Sequence, residues 1–156
     1  MATARTYSYV VNSVSGVGVT PWIQIATPSA TAIELVRIEI GEEDSNTSQQ
    51  ETLLLERRTT NTTLPNVAER VPINPNDPGT LLAGTSITNA IGIATGTGSF
   101  GASIMRWSFN ALNGLLYVPV PEERPVLAPN NFYTITFGAS PAANQWSGHI
   151  IYREIT

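Results

Sequence analysis

Hydrophobic and polar positions alternate with a period of two along much of this chain, which is the signature of strands with one buried face. Tyr7-Ser8-Tyr9-Val10-Val11 and Trp22-Ile23-Gln24-Ile25 are short examples, separated by the Gly-containing stretch Ser13 to Thr20. From Thr31 to Ile40, Val36, Ile38 and Ile40 alternate with Arg37 and Glu39, predicting a half-buried strand with one charged face. The polar run Glu42 to Ser48 follows, and the strand pattern resumes from Glu51 to Arg58 through Leu53-Leu54-Leu55. The two patterns and the run between them read as a long hairpin with a solvated tip.

Thr59 to Gly79 is polar and proline-punctuated. Proline lacks the ladder N–H, so this stretch reads as loop or sheet edge. Within it, Asn66 to Arg70 could form a single helical turn, and no other helix is predicted. Thr80 to Thr97 predicts a strand or two, and Gly96 to Ser99 a turn. Ser103 to Phe109 sets Met105, Trp107 and Phe109 on one side against Ile104, Arg106 and Ser108 on the other. Asn113-Gly114 is a turn signal, since both residues tolerate positive φ, and it predicts a hairpin into Leu115 to Val118. After the prolines at 119, 121, 125 and 129, Asn130-Asn131 turns into Phe132 to Phe137, and Ser147 to Ile155 is the last strand. Short strands divided by Gly, Pro and Asn predict an all-β fold. With long, uneven loops, the expectation is a jelly-roll-like β-sandwich of about eight to ten antiparallel strands. One domain spans residues 1–156, with a short N-terminal arm over about residues 1–6.

Composition changes this picture by narrowing the chemistry. Hydrophobic residues make up 42% of the chain and charged residues 13%, so it should fold, with a surface rich in hydroxyls and amides. Burying such groups against a partner costs less than burying charges. Net charge is −4 and all eight basic residues are arginine, too few and too scattered for a phosphate-binding patch, so direct nucleic-acid binding is not expected. Arginine without lysine suits fixed bidentate contacts, and biased base composition explains it equally well. There is no cysteine, hence no disulfide and no thiolate chemistry. The beginning of the chain has no apolar signal core, and no run approaches the roughly 18 apolar residues of a membrane span. The expectation is a protein made in the cytoplasm without a signal peptide.

Catalytic constellations are sparse, and no catalytic, cofactor-binding or metal site is expected. His149 is the only histidine. Asp44 and Asp77 fall in loops, and one His without Cys builds no zinc site. Glu42-Glu43-Asp44 and Glu122-Glu123 read as solvated loops or ion pairs. The first offers oxygen ligands to Ca²⁺ but lacks EF-hand spacing. Gly96 to Gly101 is not followed by the helix that a dinucleotide loop needs. Trp22, Trp107 and Trp146 could stack on sugars, Trp146 best placed for an exposed ring at a loop–strand junction, and Trp107 reads as core.

The most specific pattern is Tyr117-Val118-Pro119-Val120-Pro121-Glu122-Glu123-Arg124-Pro125, then Ala128-Pro129-Asn130-Asn131, then the closing Ser147 to Ile155. It resembles small structural proteins of tailed phages, the capsid decoration or cement proteins of the jelly-roll type. The likeness covers the C-terminal third, with added support from Thr31 to Arg58. It implies a virion structural protein on the capsid surface, not an enzyme. Its partners would be the major capsid protein and itself, as a homotrimer that bridges neighbouring capsid subunits. The segments expected to touch partners are Ala2 to Thr6, Asn61 to Pro78 and Val120 to Pro125. The residues singled out are Ala2, Arg5, Arg70, Glu122, Glu123 and Arg124. The alternative is a carbohydrate-binding or host-recognition module on a phage tail or head fibre.

Overall fold

The computed structural model describes residues 5–15, 21–27, 29, 31–43, 48–58, 66–67, 70–76, 86–89, 100–139, 141 and 145–155. Among these, the strands in chain order are β1 (Arg5–Ser15), β2 (Pro21–Ala26), β3 (Ala32–Glu42), β4 (Gln50–Arg58), β5 (Asn66–Val67), β6 (Arg70–Pro72), β7 (Ser86–Asn89), β8 (Phe100–Asn110), β9 (Leu115–Tyr117), β10 (Val126–Leu127), β11 (Phe132–Phe137) and β12 (Gln145–Ile155). Two 3-10 turns, Ala111–Asn113 and Pro121–Glu123, are the only helical pieces among the described residues. No helix there is long and apolar enough to cross a membrane.

The pairing is nested. The first strand pairs with the last, β1 with β12; the second with the second-last, β2 with β11; β3 pairs with β9 and β10; β4 pairs with β8. This long antiparallel ribbon is rolled so that β12 also pairs with β3, and β11 with β4. One sheet has the order β10-β3-β12-β1-β6, with β9 sharing β3's edge with β10. The other runs β5-β7-β2-β11-β4-β8. Alternation between sheets from strand to strand, folded back on itself at β4 and β8, is a jelly roll. The segment between β4 and β8 adds β6 beyond β1 in the first sheet, and β7 and β5 beyond β2 in the second.

The core lies between the sheets. The first contributes Tyr7, Tyr9, Ile38, Ile40, Trp146, Ile150 and Tyr152; the second contributes Ile23, Ile25, Leu53, Leu55, Tyr133, Ile135 and Phe137. Phe137 and Trp146 join the layers, ring centroids 5.0 Å apart, and Tyr7 stacks on Tyr152 at 5.6 Å. Burial pushes the Tyr9 phenol well above its ordinary value.

Several sequence expectations are corrected by this topology. Thr31 to Arg58 is not a hairpin, because β3 and β4 lie in different sheets. Asn113-Gly114 likewise makes a corner between sheets, and only Gly114 takes positive φ, at 66°. The corner is tight: Asn110 Oδ1 accepts from the Leu112 N–H, and a Cβ on Gly114 would sit 2.5 Å from the Ile40 carbonyl oxygen. Asn66–Val67 and Arg70 are extended sheet-edge residues, not a helical turn. Arg5 and Thr6, expected in an arm, open β1 opposite Glu154 and Arg153. In β3 the alternation breaks at Val36, because Leu35 faces Tyr152 and Arg37 faces Ile151. That bulge buries Ile33 and Leu35 as well as Ile38 and Ile40, and leaves Val36 half-buried.

Candidate interaction surface

The outward face of the first sheet is assembled from the alternate residues that the core does not use. Strand pairing sets them in rows. Leu116, Glu39, His149 and Val10 form one row across β9, β3, β12 and β1. Val126, Glu34, Arg153 and Thr6 form another across β10, β3, β12 and β1. Between them Arg37, Ile151, Ser8 and Val71 run from β3 to β6.

The centre of this face is charged but internally compensated. Glu34 is nearly buried beneath two guanidinium groups, Arg153 at 2.5 Å and Arg124 at 3.7 Å. Glu39 pairs with Arg37 on its own strand and lies 3.6 Å from His149 Nε2. The flanks are apolar and exposed. On one side Leu116, Val118, Val120 and Val126 stand out from the segment joining β9 to β10; on the other stand Val10, Val71 and Ile73.

The segment from Leu116 to Val126 acts as a strap along the edge of β3. Residues alternate in it, so Tyr117 and Pro119 turn inward while Leu116, Val118 and Val120 turn outward. Tyr117 packs on Trp107 at 5.0 Å and donates its hydroxyl hydrogen to Met105 Sδ. Burial, and then the nearby Glu123 carboxylate, pushes the Tyr117 phenol up. The strap returns to the sheet where the Leu35 N–H donates to the Pro125 carbonyl, 3.0 Å away. A turn at Asn130, φ 55°, then leads into β11. Thr27 Oγ1 clasps this turn, donating to the Ala128 carbonyl at 2.7 Å and accepting from the Asn131 N–H at 3.0 Å.

The residues singled out from sequence sort onto the two edges of this one sheet. Glu122 and Glu123 are exposed in the strap's 3-10 turn, and Arg124 leans inward to Glu34. Arg5 begins β1, and Arg70 begins β6 opposite Tyr9. Ala2 lies outside the described residues, as do Asp44, Asp77 and half of Asn61 to Pro78. Sequence reasoning missed the apolar flanks. The signal was available in the strap, where Leu116, Val118 and Val120 share one parity and the intervening Tyr117 and Pro119 the other. Val10 gave no such signal, because it reads as core beside Tyr9.

His149 sits on the open outward face with Glu39 opposite it on one side and Val10 on the other. A hollow of about 360 Å³ lies nearby, between the end of β3 and the 111–116 corner. Glu39, Glu42, Asn113 and Leu116 help line it, and His149 does not. No group of three or more His, Cys, Asp or Glu residues close enough to hold a metal ion occurs among the described residues. The tryptophans offer little to a sugar. Trp146, whose loop–strand junction left room for an exposed ring, is fully buried, Trp22 is 2% exposed, and half-buried Trp107 is committed to Tyr117. No protein-family model, curated protein or solved structure matches this chain.

Proposed function

We propose that this chain is a virion structural protein, a decoration or cement subunit that binds the head of a tailed phage. In this reading it works as a homotrimer and bridges neighbouring copies of the major capsid protein. It acts through contact and not through turnover. Many modest contacts repeated over a shell stabilise by raising the effective concentration of each next contact.

The observation that carries this reading is the outward face of the first sheet. Its charges are neutralised inside the face, so covering it strands few unpaired ions, and its flanks present apolar side chains to a protein surface. The strap is held by prolines and by its return to β3, so it loses little freedom on docking. The resemblance of its C-terminal third to phage decoration proteins supplies the class of partner.

The test is co-sedimentation with expanded, undecorated phage heads. Saturable binding, with heads that then resist heat or chelator-induced rupture, is the expected result. Failure to bind mature heads of the phage that encodes it, alongside specific binding on a glycan array, would remove the capsid reading in favour of host recognition.

A further inference from the structure

The corner between β8 and β9 carries a chemistry that the interaction surface does not use. Asn113-Gly114 is the single Asn-Gly pair in the chain. An asparagine amide is open to attack by the backbone nitrogen of the next residue, and a glycine there has no Cβ to obstruct the approach. The Gly114 nitrogen bonds to Asn113 Cγ, and Nδ2 leaves as ammonia, carrying away the proton that the Gly114 N–H gives up. Water then opens the five-membered imide at either carbonyl. One opening gives aspartate. The other gives isoaspartate, in which the main chain runs through the former side chain. Water and base are the only co-reactants.

Asn113 is exposed, so its amide is within reach of both. The Gly114 nitrogen is not free. Its N–H donates to the Ala111 carbonyl, 3.1 Å away, closing the 3-10 turn Ala111–Asn113. Two further bonds hold that turn. Asn110 Oδ1 accepts from the Leu112 N–H at 3.1 Å, and buried Ala111 donates its N–H to the Gln49 carbonyl at 2.8 Å. Imide closure needs the Gly114 nitrogen deprotonated and the backbone free to rotate about the Asn113 Cα–C bond. The hydrogen bond opposes the first, and the turn opposes the second. Reaction therefore proceeds from molecules whose corner has opened, at a rate set by their fraction.

The products do not fit where the reactant did. Isoaspartate adds a carbon to the main chain between positions 113 and 114. The corner has no slack for it, because a Cβ on Gly114 would already sit 2.5 Å from the Ile40 carbonyl oxygen, and Leu115 pairs with Ile40. Either product also adds a carboxylate to the hollow that Glu39 and Glu42 line, where like charge is unfavourable. We infer that Asn113 is a site of spontaneous deamidation that the folded corner holds silent, and that its conversion to isoaspartate weakens the pairing of β9 with β3. This inference is independent of the proposed function.

Peptide mapping by mass spectrometry, with a methylation assay specific for isoaspartate, reads the conversion during incubation in mildly alkaline buffer. Unfolded in guanidinium chloride, the wild-type chain should convert at Asn113 ahead of every other asparagine. Folded, it should convert there at least about tenfold more slowly. Asn110→Ala removes the bond to the Leu112 N–H, so it should raise the folded rate about fivefold and leave the unfolded rate unchanged. Asn113→Gln should abolish the signal and keep the fold. Protein aged while unfolded and then refolded should have a lower urea midpoint than Asn113→Asp, which carries the new charge without the extra backbone atom. Equal rates in the folded and unfolded chain, or another asparagine converting first in the unfolded one, would overturn the silent site. Aged protein as stable as Asn113→Asp would overturn the effect on β9.

Discussion

At the scale of single residues, the positions that matter most are those where the fold leaves no room or no water. Gly148 in β12 is one. A Cβ there would meet the backbone carbonyl oxygen of Glu39 at 2.0 Å, and backbone cannot yield as a side-chain tip can. Gly148→Ala should therefore lower stability by about 1–3 kcal/mol, the usual range for overpacking, read as a lower urea midpoint with an unchanged slope. An unchanged midpoint would mean that β3 and β12 separate more easily than their pairing suggests. Glu34 is the second case. The alternation of Val36, Ile38 and Ile40, continued backwards, puts Glu34 on the apolar side; the bulge at Val36 turns it outward instead, where Arg124 and Arg153 cover it. The sequence could not show this, because the covering arginines arrive from β12 and from the strap, roughly a hundred residues away along the chain.

At the scale of elements, the strands were legible and their partners were not. β2, β3, β4, β8, β11 and β12 fall where the period-two pattern sets them. The alternation of Met105, Trp107 and Phe109 against Ile104, Arg106 and Ser108 is kept in β8. Both predicted hairpins failed because a polar loop or an Asn-Gly turn reverses the chain without saying whether it stays in its sheet. The second sheet supplies a further example. Glu56 and Arg58 lie on the side of β4 away from Leu53 and Leu55, and both are nonetheless buried. Arg58 Nη2 reaches Glu56 Oε2 at 2.8 Å, and Arg58 Nε donates to Thr134 Oγ1 on β11 at 3.0 Å. Arg58→Met should leave the Glu56 carboxylate buried without this partner and cost about 3–5 kcal/mol. Adding Glu56→Leu should restore most of that loss in chemical denaturation. Equal instability of the single and double variants would show that Arg58 acts through its other contacts and not through this ion pair.

At the scale of the whole molecule, nesting first strand with last makes nearly every sheet contact distant in sequence. Such pairings bring no return until long loops have closed, so folding should be slow for the chain's size, in the millisecond-to-second range. Stopped-flow refolding followed by tryptophan fluorescence reads this directly, since Trp22 and Trp146 are buried only when the two sheets meet. Microsecond refolding would contradict the nested topology. The same nesting gathers the interaction surface. It sets Val10 and Val71 on one edge of a sheet and the strap on the other, although β1, β6 and the strap are widely separated along the chain.

What the sequence determined by itself was local: where strands run, which side of each is apolar, where Pro, Gly and Asn stop them, and that the chain is all-β. These follow from the two-residue repeat of an extended backbone and from the φ preferences of single residues, both readable within a few positions. Tertiary structure alone decided which strands are neighbours, that Val36 bulges, that Glu34, Glu56 and Arg58 are buried, and that exposed apolar side chains flank both edges of one outward face. Those outcomes depend on pairing between distant segments, and alternation fixes the side a residue faces but carries no label for the partner it will meet there.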